Sequence, residues 1–490
     1  MGVGRNLPKN ADVRTSFAQN PAPIVDWFNL ARVTTDMLPE VALLEIFDFY
    51  IDWAGINAWR TLVHVCRKWR IVVFGSPRRL DLKLYCTPRM PVRKMLDVWP
   101  HLPLVMEAFR HELWDVGRVD NVVAALERND RLYQLRLIDI SSSQFEKVFP
   151  AMRQPFPALI HLHVGFGDDV DETTPIIPAS FLGGSTPRLE TLNLMHMPFP
   201  GLPKFLLSAT HIVELLLSKI PHSGYFSPEA IVTSLSALTR LKVLVIDFES
   251  PRSRPDRKSR RLPPATRTLL PVLTTLCFKG ASEYLEDLVA RIDTPLLNNL
   301  LITFFHQLMF ETPQLTQFIN HTPNFRTRDK AQLFFSDREA SVTLAQTDDR
   351  TLKLGISCRR LDWQISSLAQ LCSRSLPQAL IPALEHLYIF EGRRWVWLRQ
   401  DDIENGQWLE LFLPFTDVKD LYITREIAPF VVPALQDLVG ARVMEVLPVL
   451  QTLFLQETLS SGPVHEAIGK FVAARQLAGR PISVSLWETK

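Results

Sequence analysis

The segment PVLTTLCF at residues 271–278 is followed by PLLNNLLI at residues 295–302, and their shared frame, Pro-x-Leu-x-x-Leu-x-apolar, decides the fold. The same frame returns at 157–164, 187–194, 382–389 and 448–455, and without its proline at 132–137, 212–217 and 241–246. The central leucines, Leu135, Leu162, Leu192, Leu215, Leu244, Leu276 and Leu300, recur roughly every 27 residues, a spacing typical of stacked strand-and-helix units. Apolar triples alone would arise by chance about that often, but six copies that include the proline would not. A proline two residues ahead of a strand fixes the turn into it and stops a preceding helix from continuing. Segments 228–238, 284–292 and 365–371 are long enough to be return helices. The pattern predicts an α/β solenoid with its leucines pointing inward.

This frame resembles that of leucine-rich repeats in an irregular, degenerate form, because asparagine is missing from the strand exits that such repeats usually fill with it. Insertions are expected near 250–265 and 325–365. In the second, the short apolar runs 333–335, 342–344 and 352–356 crowd together like an added hairpin. A helix near 465–477, stopped by Gly479 and Pro481, and a strand at 482–486 would close the last turn.

A second signal lies near the N-terminus. Pro39 can open a helix where its missing N–H costs nothing, and Val41, Leu44, Phe47 and Ile51, with Leu43 and Ile46 beside them, make one apolar stripe. Asn57 is placed to cap a second helix carrying Trp59, Leu62, Val63 and Val65. A third would carry Trp69, Val72 and Val73 as far as Gly75.

Leu38-Pro39, Ile46-Phe47 and the run Val65-Cys66-Arg67-Lys68-Trp69-Arg70 resemble the F-box, the helical motif by which ubiquitin-ligase receptors dock on a Skp-type adaptor. The resemblance implies that Leu38, Pro39, Leu44, Ile46, Phe47, Val65, Cys66 and Trp69 meet the adaptor or hold the helices for it. Two departures stand out: the acid usual after Leu-Pro-x is displaced to Glu40, and the first interhelix segment is a few residues long. The resulting plan is a tail at 1–33, a small helical F-box at 34–77, a connector at 78–130 and an irregular leucine-rich-repeat-like solenoid at 131–490.

The chain has 490 residues, 47% of them apolar, and 54 Lys and Arg against 52 acids, for a net charge of +2. That balance gives no footprint for nucleic acid or a membrane surface, so proteins are the expected partners. No stretch approaches the roughly 18 apolar residues of a membrane span, and the N-terminus carries no secretory core. Five scattered cysteines without a C-x-x-C indicate neither a disulfide framework nor a zinc cluster. An intracellular protein, cytoplasmic or nuclear, is expected.

The sequence holds no H-E-x-x-H, G-x-S-x-G, phosphate-loop or dinucleotide motif, so neither catalysis nor a cofactor is expected. His161 and His163, near Asp168, Asp169, Asp171 and Glu172, form a weak metal pattern. In a strand centred on Leu162 both histidines merely point away from the core. The basic, proline-split run 251–267 reads as a solvated loop.

The last clear repeats carry Tyr388, Tyr422 and Phe454 at equivalent outward positions, an aromatic row expected to anchor a target or to steady the sheet. The reading is a non-catalytic substrate receptor of an SCF-type cullin-RING ligase, its F-box on a Skp-type adaptor, hence a cullin, and its repeats on a protein target. The alternative is an F-box-containing interaction scaffold acting outside ubiquitin transfer.

Overall fold

In the computed structural model the described residues are 37–55, 57–109, 116–167, 175–255, 266–307, 309–326, 328–345, 350–378, 380–392, 404–438, 440–456 and 462–487. They fall into two compact units, divided between Leu82 and Lys83. The first contains helices α1 (Glu40–Ala54), α2 (Trp59–Val65) and α3 (Arg67–Gly75). Its core is Leu43, Leu44, Phe47, Trp59, Leu62, Val63, Val72 and Val73. Phe47 and Trp69 meet with ring centroids 4.7 Å apart. Asn57 does not cap α2, whose N-cap position is Ala58 without a side-chain bond. Cys66 caps α3 instead, its Sγ accepting the Trp69 N–H at 3.4 Å. Leu80 and Leu82 are buried in turns and coil.

Among the described residues the second unit is built on one sheet of sixteen strands. Its first half comprises β1 (Leu84–Cys86), β2 (Leu104–Phe109), β3 (Leu132–Ile140), β4 (His161–Phe166), β5 (Thr191–Met195), β6 (Glu214–Ile220) and β7 (Val243–Phe248). The short strands β8 (Thr268–Leu269) and β10 (Ile292–Asp293) pair separately, while β9 (Thr275–Gly280) and β11 (Asn299–Phe305) continue the sheet. The rest are β12 (Lys330–Phe335), β13 (Glu339–Ala345), β14 (Thr351–Ser357), β15 (His386–Glu391), β16 (Asp420–Ile423), β17 (Thr452–Leu455) and β18 (Ser483–Leu486). Apart from β13, which runs antiparallel to its neighbours, this is the parallel strand-and-helix repeat the frame predicts. The central leucines from Leu135 to Leu300 are direct Cα partners on successive strands.

The prolines explain the regularity. In all six copies the proline occupies the second position of a four-residue turn closed by a backbone bond of 3.1 to 3.4 Å, as from Leu159 N–H to Phe156 O and from Leu273 N–H to Leu270 O. Proline pre-sets the backbone angle that position requires. Two repeats lacking it form the same turn, Ile212 N–H reaching Ala209 O at 3.3 Å and Leu241 N–H reaching Leu238 O at 3.2 Å, whereas Leu132 N–H reaches one residue further back, to Arg128 O at 3.1 Å. Buried arginines satisfy carbonyls at the entries to two strands, β2 and β17. Arg131 donates to Leu102 O at 3.0 Å and Pro100 O at 3.1 Å, and Arg475 donates to Val443 O and Leu450 O, both at 3.1 Å.

The solenoid starts earlier than the expected boundary at 131, because β1 and β2 are its first strands and 78–130 is not a mere connector. Met106 occupies the place of the central leucine and pairs with Leu135, so a leucine template passes over it. Near 325–365 the chain doubles back: β14 pairs parallel with β11, β13 runs antiparallel between β14 and β12, and β12 pairs parallel with β15. The added strands are therefore part of the sheet itself. Residues 256–265 of the basic run lie outside the described residues; at its start Pro251, Arg252 and Arg254 are exposed and Ser253 alone is buried, its hydroxyl 3.4 Å from His222 Nδ1. Trp408 is core, and Trp395 and Trp397 lie outside the described residues.

Candidate functional site

In the first unit the residues implied by the F-box resemblance divide into three sets. Leu44 and Phe47 are buried and hold the helices together, while Pro39, Ile46 and Val65 are exposed. Leu38, Cys66 and Trp69 are half-buried, and the Leu38 carbonyl accepts Lys68 Nζ at 3.0 Å, tying the start of α1 to α3. Exposed apolar area extends beyond the motif. Phe49 is 75% and Trp53 78% exposed, and with Ile46 they follow helical spacing away from the buried stripe. Met37, Val41 and Ile71 are exposed as well. A helix apolar on both sides has one side more than its own core requires. The spacing of Ile46, Phe49 and Trp53 was legible in the sequence, but only Ile46 belongs to the motif.

In the solenoid Tyr388, Tyr422 and Phe454 come together as a stacked column. The centroids of Tyr388 and Tyr422 are 4.2 Å apart and those of Tyr422 and Phe454 4.4 Å, with ring planes within 10° and 4°. Their strands are in direct register. Trp487 lies edge-on against Tyr422 at 5.5 Å and Tyr388 at 6.1 Å, its indole N–H pointing to Ile423 O at 3.4 Å. Burial, then the neighbouring Tyr388 and Asp420, push the Tyr422 hydroxyl up to about 12, so it stays a neutral donor. Beside the column His386 Nδ1 sits 2.9 Å from Asp420. The column thus faces the open side but carries the C-terminal segment over it.

His161 and His163 also face the open side, His161 Nδ1 lying 3.2 Å from the Thr191 hydroxyl. The neighbouring acids from 168 to 172 lie outside the described residues. Among the described residues no group of three or more His, Cys, Asp or Glu side chains could hold a metal ion. No described helix is long and apolar enough to cross a membrane.

No family model and no curated protein matches the chain. Among solved structures it is similar to the leucine-rich repeat-containing protein LegL7 from Legionella pneumophila, at 13% identity over 80% of this chain and 97% of that one, with a TM-score of 0.26. So loose a superposition transfers nothing, and the repeat architecture rests on strand order and register.

Proposed function

We propose that the protein is a substrate receptor of an SCF-type cullin-RING ubiquitin ligase, its first unit docking on a Skp-type adaptor and its solenoid holding a protein target. The observation that carries this reading is the surplus apolar surface of the first unit. Phe49, Trp53 and Ile46 on α1 and Val65 on α2 are exposed in a three-helix unit whose core is already complete. Such side chains dominate interface energetics when a partner covers them. Leu44, Phe47 and Trp69 then act from beneath, fixing the helices that present the surface. The chain itself supplies no transfer chemistry in this scheme. The column of Tyr388, Tyr422 and Phe454 enters it as a contact for the target through ring edges and hydroxyls.

Calorimetry with a purified Skp-type adaptor tests the docking. The full chain is expected to bind, the paired change Phe49→Ser and Trp53→Ser to weaken binding at least tenfold, and the melting curve to stay put. Leu38→Ala with Pro39→Ala is expected to weaken binding too, by removing a surface contact and a helix start. Absence of binding by the wild-type chain, or undiminished binding by both double variants, would overturn the docking reading.

A further inference from the structure

The alternation that buries Leu215, Leu244, Leu276 and Leu300 sends their neighbours to the face opposite the core. On β6, β7, β9 and β11 the next residues are Leu216, Val245, Cys277 and Leu301, direct Cα partners from strand to strand. All four are half-buried, and the row turns polar on both sides, at Asn193 on β5 and Lys353 on β14. Four adjacent strands therefore carry an apolar stripe about 14 Å long.

From this geometry we propose that the stripe is a docking site for the apolar side of an amphipathic helix in a protein partner, about ten residues long and not recognised through net charge. Calling that partner the target rests on the receptor reading; the site does not.

Three observations select this occupant. The charges beside the stripe are already neutralised, Lys279 lying 3.5 Å from Asp247 and Lys353 3.3 Å from Glu339. An acidic or phosphorylated segment would have to break those pairs, and Glu214 at the rim opposes it further. The backbone of these strands is engaged on both sides by neighbouring strands, so their face offers no main-chain partners to an extended peptide. A helix satisfies its own backbone, and at about 1.5 Å per residue ten residues match the stripe. Burial also pushes the Cys277 thiol up, so it stays neutral and apolar in character.

The test uses the full chain and a displayed library of helical 15-residue peptides randomised on one side. Selected peptides are expected to carry apolar residues at i, i+3 or i+4, and i+7. Their affinity should change less than twofold between 50 and 500 mM NaCl. Val245→Asp should weaken them at least tenfold without moving the melting curve. Should Val245→Asp fail to fold, Leu216→Ser with Leu301→Ser is the variant to read, the expected loss being the same. Peptides selected for charge with a steep salt dependence, peptides indifferent to the folded variants, or no selected peptide at all would overturn the proposal. Adaptor binding, measured on the same proteins, separates the two readings: adaptor binding without a stripe-dependent peptide defeats the stripe alone, whereas stripe-dependent peptides without adaptor binding support the stripe and defeat the receptor reading.

Discussion

His161 and His163 show what a single position in a strand determines. They alternate with buried Leu162 and Val164, so both rings share the open face, half covered by neighbouring strands. That burial is the main cause lowering the pKa of both rings, with Lys83 adding to it at His161 and Arg136 at His163; Glu190 and Glu214 oppose it at His161 and Asp139 at His163. The folded state therefore holds a proton on each ring less readily than the unfolded chain, whose histidines titrate near about 6.5. Their contribution to stability is complete above that value and is lost as pH falls from it through the lowered folded-state values, because the unfolded state then binds more protons. Denaturation midpoints measured from pH 7.5 to 5 should fall for the wild type, and fall less for His161→Gln with His163→Gln. Equal slopes would show that the rings are not desolvated. The facing of each such residue was legible from alternation alone. The stripe of Leu216, Val245, Cys277 and Leu301 was not, because it exists only once the register sets four separate repeats side by side.

At the scale of elements, the turns that lead into the strands could be read from the sequence, since proline imposes a local backbone preference that needs no distant partner. Helix capping was less accessible. The helix Pro313–His321 has no cap of its own, Thr312 making no side-chain capping bond. Glu286, on the helix Ser282–Val289 and 2% exposed, supplies one from the neighbouring repeat. Its two carboxylate oxygens accept the N–H groups of Gln314 at 2.9 Å and Leu315 at 2.8 Å. The positive end of the helix dipole adds to the attraction. Glu286→Gln puts an amide donor against one of those N–H groups and should cost about 1 to 3 kcal/mol, the usual penalty for leaving a buried polar group unpaired. Urea denaturation would measure it, and a loss below a few tenths of a kcal/mol would show that water replaces the carboxylate freely. No sequence pattern announces this cap, because donor and acceptor belong to different repeats. The early strands β1 and β2 were missed for a related reason: their membership of the sheet is a fact of pairing, and Met106 hides the leucine position.

For the sheet as a whole, most strands touch only the strands beside them, so damage should spread by neighbour rather than at once. Leu453 on β17 is fully buried and pairs with Leu421 on one side and Val484 on the other. Leu453→Ala should cost about 2 to 5 kcal/mol locally. The strand order predicts where that loss stops. From β18 back to β15 the pairing is parallel and each pair is joined through a long return segment, so opening the end releases little local structure elsewhere. At β12 the pattern changes to antiparallel neighbours, with Ser336 N–H bonded to Glu339 O at 2.8 Å across the tight turn between β12 and β13. Strands joined by such turns re-form without closing a long loop. Amide hydrogen exchange in Leu453→Ala should therefore quicken in β15 to β18 and remain slow from β14 back to β4. Leu276→Ala, with paired strands on both sides, should quicken exchange in β7 and β11 together. Uniform acceleration across the sheet in Leu453→Ala would mean that the sixteen strands unfold as one cooperative block, and that the doubled-back segment is no barrier to fraying.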